Sequence, residues 1–201
     1  TRRISSAASD VYKRQARAIP ASVLADQRFA NRIRIDLHGN ALFPHFNREG
    51  ICGYEIKNAE FTGFATGGEK GLWASRVGES DTILVIAETA IDALSYHALH
   101  PVPDSRFLST GGALNNSQPD LIRSAIEKMP PEAQIVVAVD NDDGGQTLFD
   151  RIQAIFGDCR GAGRVLVDGR PHGQGNDWND VLRASMAKKA HAQNGPPEPR
   201  S

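Results

Sequence analysis

A chain of 201 residues can bury one good core, or one core with a smaller satellite, so two domains are the ceiling. Its formal net charge of −1 argues against a protein that coats DNA by bulk charge, and no apolar run approaches the ~20 residues of a membrane span. Two cysteines, Cys52 and Cys159, have neither C-x-x-C spacing nor a nearby histidine pair, which argues against a zinc finger and fits a reducing, cytoplasmic compartment; no signal peptide is visible.

Residues 1–18 are Ser/Ala/Arg-rich without hydrophobic period and are expected to be a disordered or artefactual leader; Ser5 to Gln15 resembles a translated sequencing adapter, so neither Tyr12 nor the early arginines are given a role. From Ile33 to Val77, short alternating segments separated by glycine turns predict antiparallel hairpins: 32–36, 41–46 and 51–57, with Phe61, Phe64, Leu72 and Trp73 supplying apolar mass. This predicts a small β-rich domain over 19–78. It holds Lys57, Lys70, Arg34, Arg76 and His45, which could follow a nucleic-acid backbone or simply be solvated.

At Asp81 the period changes. Strand 82–87 precedes a helix with Ile91, Leu94, Ala98 and Leu99 on one face, and 106–108 is a short strand. Ser117 is the expected cap of the next helix, whose stripe is Leu121, Ile122, Ala125, Ile126 and Met129. Strand 134–139 follows, then a helix bearing Leu148, Ile152, Ile155 and Phe156 that stops at Gly157, a strand at 164–167, and a helix capped by Asp177. Alternating strands and helices predict an α/β domain over 79–188 with a parallel sheet covered on both faces; residues 189–201 are expected to be a disordered tail.

Ligands of such sheets bind beyond the carboxyl ends of the strands, where Glu88, Asp140 and Asp142 fall. A hard cation such as Mg²⁺ takes carboxylates, waters and phosphate oxygens, so Asp140 and Asp142 are expected to hold Mg²⁺, with Mn²⁺ as the alternative. Glu88, crowded by like charge, is a third ligand or a general acid and base. Asp92, one turn further, either binds a second ion or complements its helix dipole. Gly111 and Gly112 would let backbone N–H groups approach phosphate, or only form a tight turn. An EF-hand from Asp140 fails because its twelfth position is Arg151, and no Gly-x-x-x-x-Gly-Lys motif exists for a P-loop. Residues 1–80 carry 12 Lys/Arg against 8 Asp/Glu, and residues 81–201 carry 11 against 16, a basic half beside an acidic one that suits enzymes handling metal and phosphate.

Ala87-Glu88-Thr89-Ala90-Ile91-Asp92 resembles the first motif of Toprim domains, and Val139-Asp140-Asn141-Asp142-Asp143-Gly144 their Asp-x-Asp-x-x-Gly motif. Ser109 to Ala113 is similar to the small-residue turn after the second Toprim strand. Gly175 to Asp180 is similar to the ending of primase-like Toprim proteins of plasmids and integrative elements, with Asn176 in place of the usual lysine. Segments 39–45, 50–58 and 67–73 resemble the uncharacterised domain that precedes Toprim in that group. The resemblance implies a Toprim-type, Rossmann-like sheet behind an antiparallel segment. It also implies Mg-dependent chemistry on nucleic-acid phosphodiesters, with Glu88, Asp140 and Asp142 as catalytic residues. Lys57, Lys70, Gly111, Gly112 and Asp177 are assigned to nucleic-acid and phosphate contact. The expected activity is that of a DNA primase-like nucleotidyltransferase, with single-stranded DNA and nucleotides as substrates and a helicase or replication and conjugation proteins as partners. A stand-alone nuclease and a non-catalytic binding or assembly module are the alternatives.

Overall fold

The computed structural model describes residues 17–58, 61–161, 163–173 and 175–193. A short helix α1 (Ala21–Ala25) and a 3-10 turn (Gln27–Phe29) lead into β1 (Arg34–Ile35), β2 (Ala41–Phe46), β3 (Ile51–Lys57), β4 (Thr62–Phe64) and β5 (Leu72–Ala74). There follow β6 (Ile83–Ala87), α2 (Ala90–Leu99), β7 (Ser105–Ser109), α3 (Gln118–Glu127), β8 (Gln134–Ala138), α4 (Asp143–Gly157), β9 (Val165–Asp168) and α5 (Trp178–Gln193). Strands 41–46 and 51–57 have the bounds expected from their alternation, whereas the expected strand 32–36 contracts to two residues.

All nine strands form one sheet in the order β4-β3-β2-β5-β7-β6-β8-β9, with β1 also on β2. β6 to β9 pair in parallel and β1 to β5 antiparallel, so the change of period at Asp81 marks a change of pairing. The two halves share one sheet because β5 pairs with both β2, through His45 and Trp73, and β7, through Trp73 and Ser109. Side chains alternate across the sheet. Val85, Ala87, Phe107, Val136 and Ala138 face α2 and α5, joined by Phe29, Phe43 and Trp73 from the first half. Leu84, Ile86, Ile135, Val137 and Val139 face α3 and α4. Trp73, fully buried with its Nε1 donating to the Arg32 carbonyl at 2.8 Å, is a core residue rather than a base-stacking one.

Three local expectations need correction. Ser117 does not cap α3: its backbone is already helical and its side chain makes no capping bond, while Asn115 Oδ1 accepts from the amides of Ser117 (3.0 Å) and Gln118 (2.9 Å). The cap of α4 is Asp142, expected only as a metal ligand, since its Oδ1 accepts from the Gly145 amide at 2.7 Å. α5 runs to Gln193, so 189–193, expected in the tail, are helical. The expectations for residues 1–16 and 194–201 lie outside the described residues.

Candidate active site at the carboxyl ends of the parallel strands

β6 and β8 are adjacent and in register, Ala87 opposite Ala138, so Glu88 and Asp140 leave neighbouring strands at nearly the same level. Thr89 then starts α2 as a reciprocal cap. Its hydroxyl donates to Asp92 Oδ2 at 2.5 Å and accepts from the Asp92 amide at 3.3 Å. This fixes Asp92 in a buried position at the first turn, 4% exposed. On the other side Gly145 lets α4 begin against Asp140, because a Cβ there would stand 1.9 Å from the Asp140 carbonyl oxygen.

The acids gather around Asp140. Burial first, then the charges of Asp92, Glu88, Asp177 and Asp142, push its carboxyl up to about 8. Asp92 rises to about 6 through burial, opposed by its bond to Thr89, with Asp177 adding to the rise and Lys57 countering it. Glu88 is raised by burial and then by Asp142, and lowered by Lys57 and Lys70. Asp140 Oδ1 is buried and has no hydrogen-bond partner among the described residues. A desolvated, unpartnered carboxylate oxygen in a field of like charge requires a proton or a cation. The donor chemistry therefore fits a hard divalent ion. Even so, among the described residues no three His, Cys, Asp or Glu side chains converge tightly enough to clasp one ion as they stand. Asp142 is turned toward its own helix, its Oδ1 taken by the Gly145 amide.

Asp177, assigned to phosphate contact, joins the acids instead. Its carboxylate caps α5, accepting from the Asp180 amide at 2.6 Å, and adds to the charge felt by Asp140, Asp92 and Glu88. The loop before it is pinned to Asn141, whose amide donates to the Asn176 carbonyl (3.0 Å) and whose carbonyl accepts from Gly175 (2.6 Å). Asn176, standing for the lysine of the resembling proteins, bonds the His172 carbonyl at 2.7 Å. Gly111 and Gly112 also need correction: both amides donate to the Glu88 carbonyl, at 2.8 and 3.1 Å, so those N–H groups hold the Glu88 backbone rather than face phosphate. Gly111 is required in any case. Its φ is +66°, and a Cβ would meet the His45 ring at 2.9 Å.

The antiparallel half supplies the cations. Lys57 is buried and pairs with Glu55 at 3.1 Å, both on one face of β3, and its charge reaches Glu88 and Asp92. Lys70 lies along the glycine turn with its Nζ on the Ala113 carbonyl at 2.6 Å, and burial lowers its pKa. His45, expected to follow a nucleic-acid backbone or be solvated, is instead fully buried, and with Gln118, which sequence reading missed, it locks the halves together. His45 Nδ1 lies 2.7 Å from the Gly71 carbonyl, and Gln118 Nε2 donates to the carbonyls of Gly71 (2.8 Å) and Thr110 (2.7 Å). The one available signal was a polar residue inside each apolar pattern. Asn179 is another, bonding Ser95 Oγ at 3.0 Å to hold α5 on α2.

Residues 85–182, which hold the acid cluster at the ends of the parallel strands, match the family model described as Toprim-like. Residues 12–80 match the model described as protein of unknown function (DUF3991), so the chain carries that domain followed by a Toprim-like one. No curated protein matches the chain. Among solved structures, the primase fragment of the bacteriophage T7 primase-helicase protein is similar over 84% of this chain and 69% of its own, at 15% identity and a TM-score of 0.53. So is a chain in the structure of bacteriophage T7 lagging-strand DNA polymerase interacting with primase domains of two gp4 subunits bound to an RNA/DNA hybrid and dTTP. That likeness covers 90% of each chain, at 15% identity and a TM-score of 0.54. At that identity the likeness is one of fold. No helix among the described residues is long and apolar enough to cross a membrane.

Proposed function

We propose that this chain is the Toprim part of a primase-like nucleotidyltransferase of a mobile element, working in the cytoplasm on single-stranded DNA and nucleotides alongside a helicase or other replication or conjugation proteins. The observation that carries the reading is the crowding of Glu88, Asp92, Asp142 and Asp177 about Asp140, whose Oδ1 has no hydrogen-bond partner among the described residues. Glu88, Asp140 and Asp142 would hold Mg²⁺ or Mn²⁺, with Asp92 behind Asp140, and the bound ion would supply neutralisation of phosphate charge. The rest is the work of the chain's own side chains. Lys57 and Lys70 face the acids from the antiparallel half and meet the phosphate, Lys70 by leaving the Ala113 carbonyl. In the alternative to ligation, Glu88 would take the proton of an attacking hydroxyl.

The test is primer synthesis on single-stranded DNA with nucleoside triphosphates and Mg²⁺. Glu88→Gln and Asp142→Asn should each lose at least 100-fold in turnover while circular dichroism stays unchanged. Wild-type turnover in both variants would overturn the catalytic reading and favour a binding or assembly module. Strand cleavage without synthesis would assign the same acids to a nuclease.

A further inference from the structure

Among the described residues, strands β1 to β4 are packed by helix on one face only. Ala41, Phe43 and Trp73 pack with Ile19, Val23 and Phe29. By alternation and register the opposite face carries Arg34, Leu42, Pro44, Phe46, Tyr54 and Ile56, with Arg34 opposite Leu42, Leu42 opposite Ile56, buried Pro44 opposite Tyr54, and Phe46 opposite Leu72 of the α3 and α4 side. Among the described residues no helix packs extensively on β1 to β4, and Leu42, Phe46, Tyr54 and Ile56 remain partly exposed.

Arginines lie on this face. The Arg32 guanidinium carbon is 4.5 Å from the Phe46 ring centroid, and that of Arg34 is 5.8 Å from Tyr54, whose hydroxyl accepts from Arg34 at 3.0 Å. Exposed Arg76 stands close enough that, after burial, it and Arg34 hold the Arg32 pKa down. Arg32 thus has two like charges in range, which costs free energy unless an anion sits nearby. Among the described residues none of the three meets a carboxylate. Asp36 is committed to the Asn40 side chain and to the amides of His38 and Asn40, and Arg32 Nε is buried without a partner. From Phe46 a groove floored by Leu72 and Ala74 continues past Arg48 to Lys128.

We propose that this open face is a second contact surface for single-stranded nucleic acid, its phosphates against Arg32, Arg34 and Arg76 and its bases over the arginine-capped rings of Phe46 and Tyr54. Guanidinium planes held on rings are pre-organised forks for phosphate and offer flat cationic faces on which any base can stack. The surface lies across the sheet from α2, which carries Asp92, so it guides a strand rather than reacts with it. The choice of nucleic acid as ligand rests on the reading given under Proposed function.

The experiment is fluorescence anisotropy of a labelled oligothymidylate in EDTA over a series of NaCl concentrations, which leaves the acid site out. Wild type should bind with a salt-dependent affinity. The double variant Arg34→Gln/Arg76→Gln should bind at least tenfold more weakly, with the slope of log K against log salt smaller by about 1.4, two phosphate contacts at ~0.7 each. Tyr54→Leu should weaken binding about fivefold or more, since stacking is lost. Glu88→Gln should bind as wild type. The double variant should keep Mg²⁺-dependent turnover at saturating DNA, so loss of binding with turnover intact, and loss of turnover with binding intact, point to different sites. An unchanged slope and affinity in the folded double variant overturns the proposal. So does tighter binding of polyglutamate than of the oligonucleotide, which would make the face a protein-docking surface.

Discussion

Asp92 makes the strongest demand on folding that can be measured without substrate. It is buried at the start of α2, and its carboxyl titrates at about 6 instead of 3.8. A raised folded-state value means that the folded protein binds the proton more tightly than the unfolded chain. The contribution to stability is therefore fully present below the unfolded value and is lost as pH rises through about 6. Two units correspond to about 3 kcal/mol, and Asp140, raised to about 8, extends the loss in the same direction to higher pH. With a urea dependence of about 2 kcal/mol/M, Asp92 alone should lower the unfolding midpoint by about 1.5 M between pH 4 and pH 8 in EDTA. Asp92→Asn, a neutral isostere, should remove the Asp92 share of that dependence and leave the share of Asp140, which runs through the same window up to about 8. Millimolar Mg²⁺ should restore wild-type stability at pH 8, because a ligand that binds only the folded state stabilises it. The assay is urea denaturation followed by circular dichroism. Equal midpoints at pH 4 and 8 in EDTA, or an Asp92→Asn profile parallel to wild type, would refute the argument that these acids are buried against one another.

Five further variants separate structure from chemistry. Asp142→Ala should cost about 1 kcal/mol through loss of the α4 cap, whereas Asp142→Asn should keep stability and lose turnover, as thermal melts and the synthesis assay would report. Lys57→Met should destabilise by about 3 to 5 kcal/mol because Glu55 is left buried and unpaired, and Glu55→Gln/Lys57→Met should recover most of that loss in chemical denaturation. Gly145→Ala, which in an ordinary helix would gain about 1 kcal/mol, should here lose about 3 kcal/mol, since its Cβ would collide with the Asp140 carbonyl. A stabilised Gly145→Ala protein would contradict that packing.

What the sequence made legible was local. Alternation in 41–46 and 51–57, the helical stripes after 90 and 118, and acids at the ends of two apolar runs each arise within a few residues, and each reappears in the fold. Less legible was whatever depends on residues far apart. That β5 would join the two halves into one sheet follows from Trp73 pairing with both His45 and Ser109, and a three-residue strand has too little pattern to announce two partners. Asn115 displaced Ser117 as cap because the chain enters α3 already helical at Ser117, leaving the earlier side chain to reach the free amides. Gly111 and Gly112 looked available to phosphate because no sequence pattern shows that the Glu88 carbonyl already takes both amides. Asp177 looked like part of a phosphate path, though tertiary folding sets it beside Asp140. The pairing of Glu55 with Lys57 could have been found, since residues two apart on a strand share a face.

The central claim is that the acids around Asp140 form a centre that requires a cation. Titration of the protein with Mn²⁺ at pH 8, followed by electron paramagnetic resonance of the free ion, tests it directly. The structure predicts at least one bound ion per chain at millimolar Mn²⁺, displaced by Mg²⁺ and lost in Asp140→Asn. Wild-type protein that leaves all the Mn²⁺ free, or an Asp140→Asn variant that binds it as well as wild type, would contradict the account.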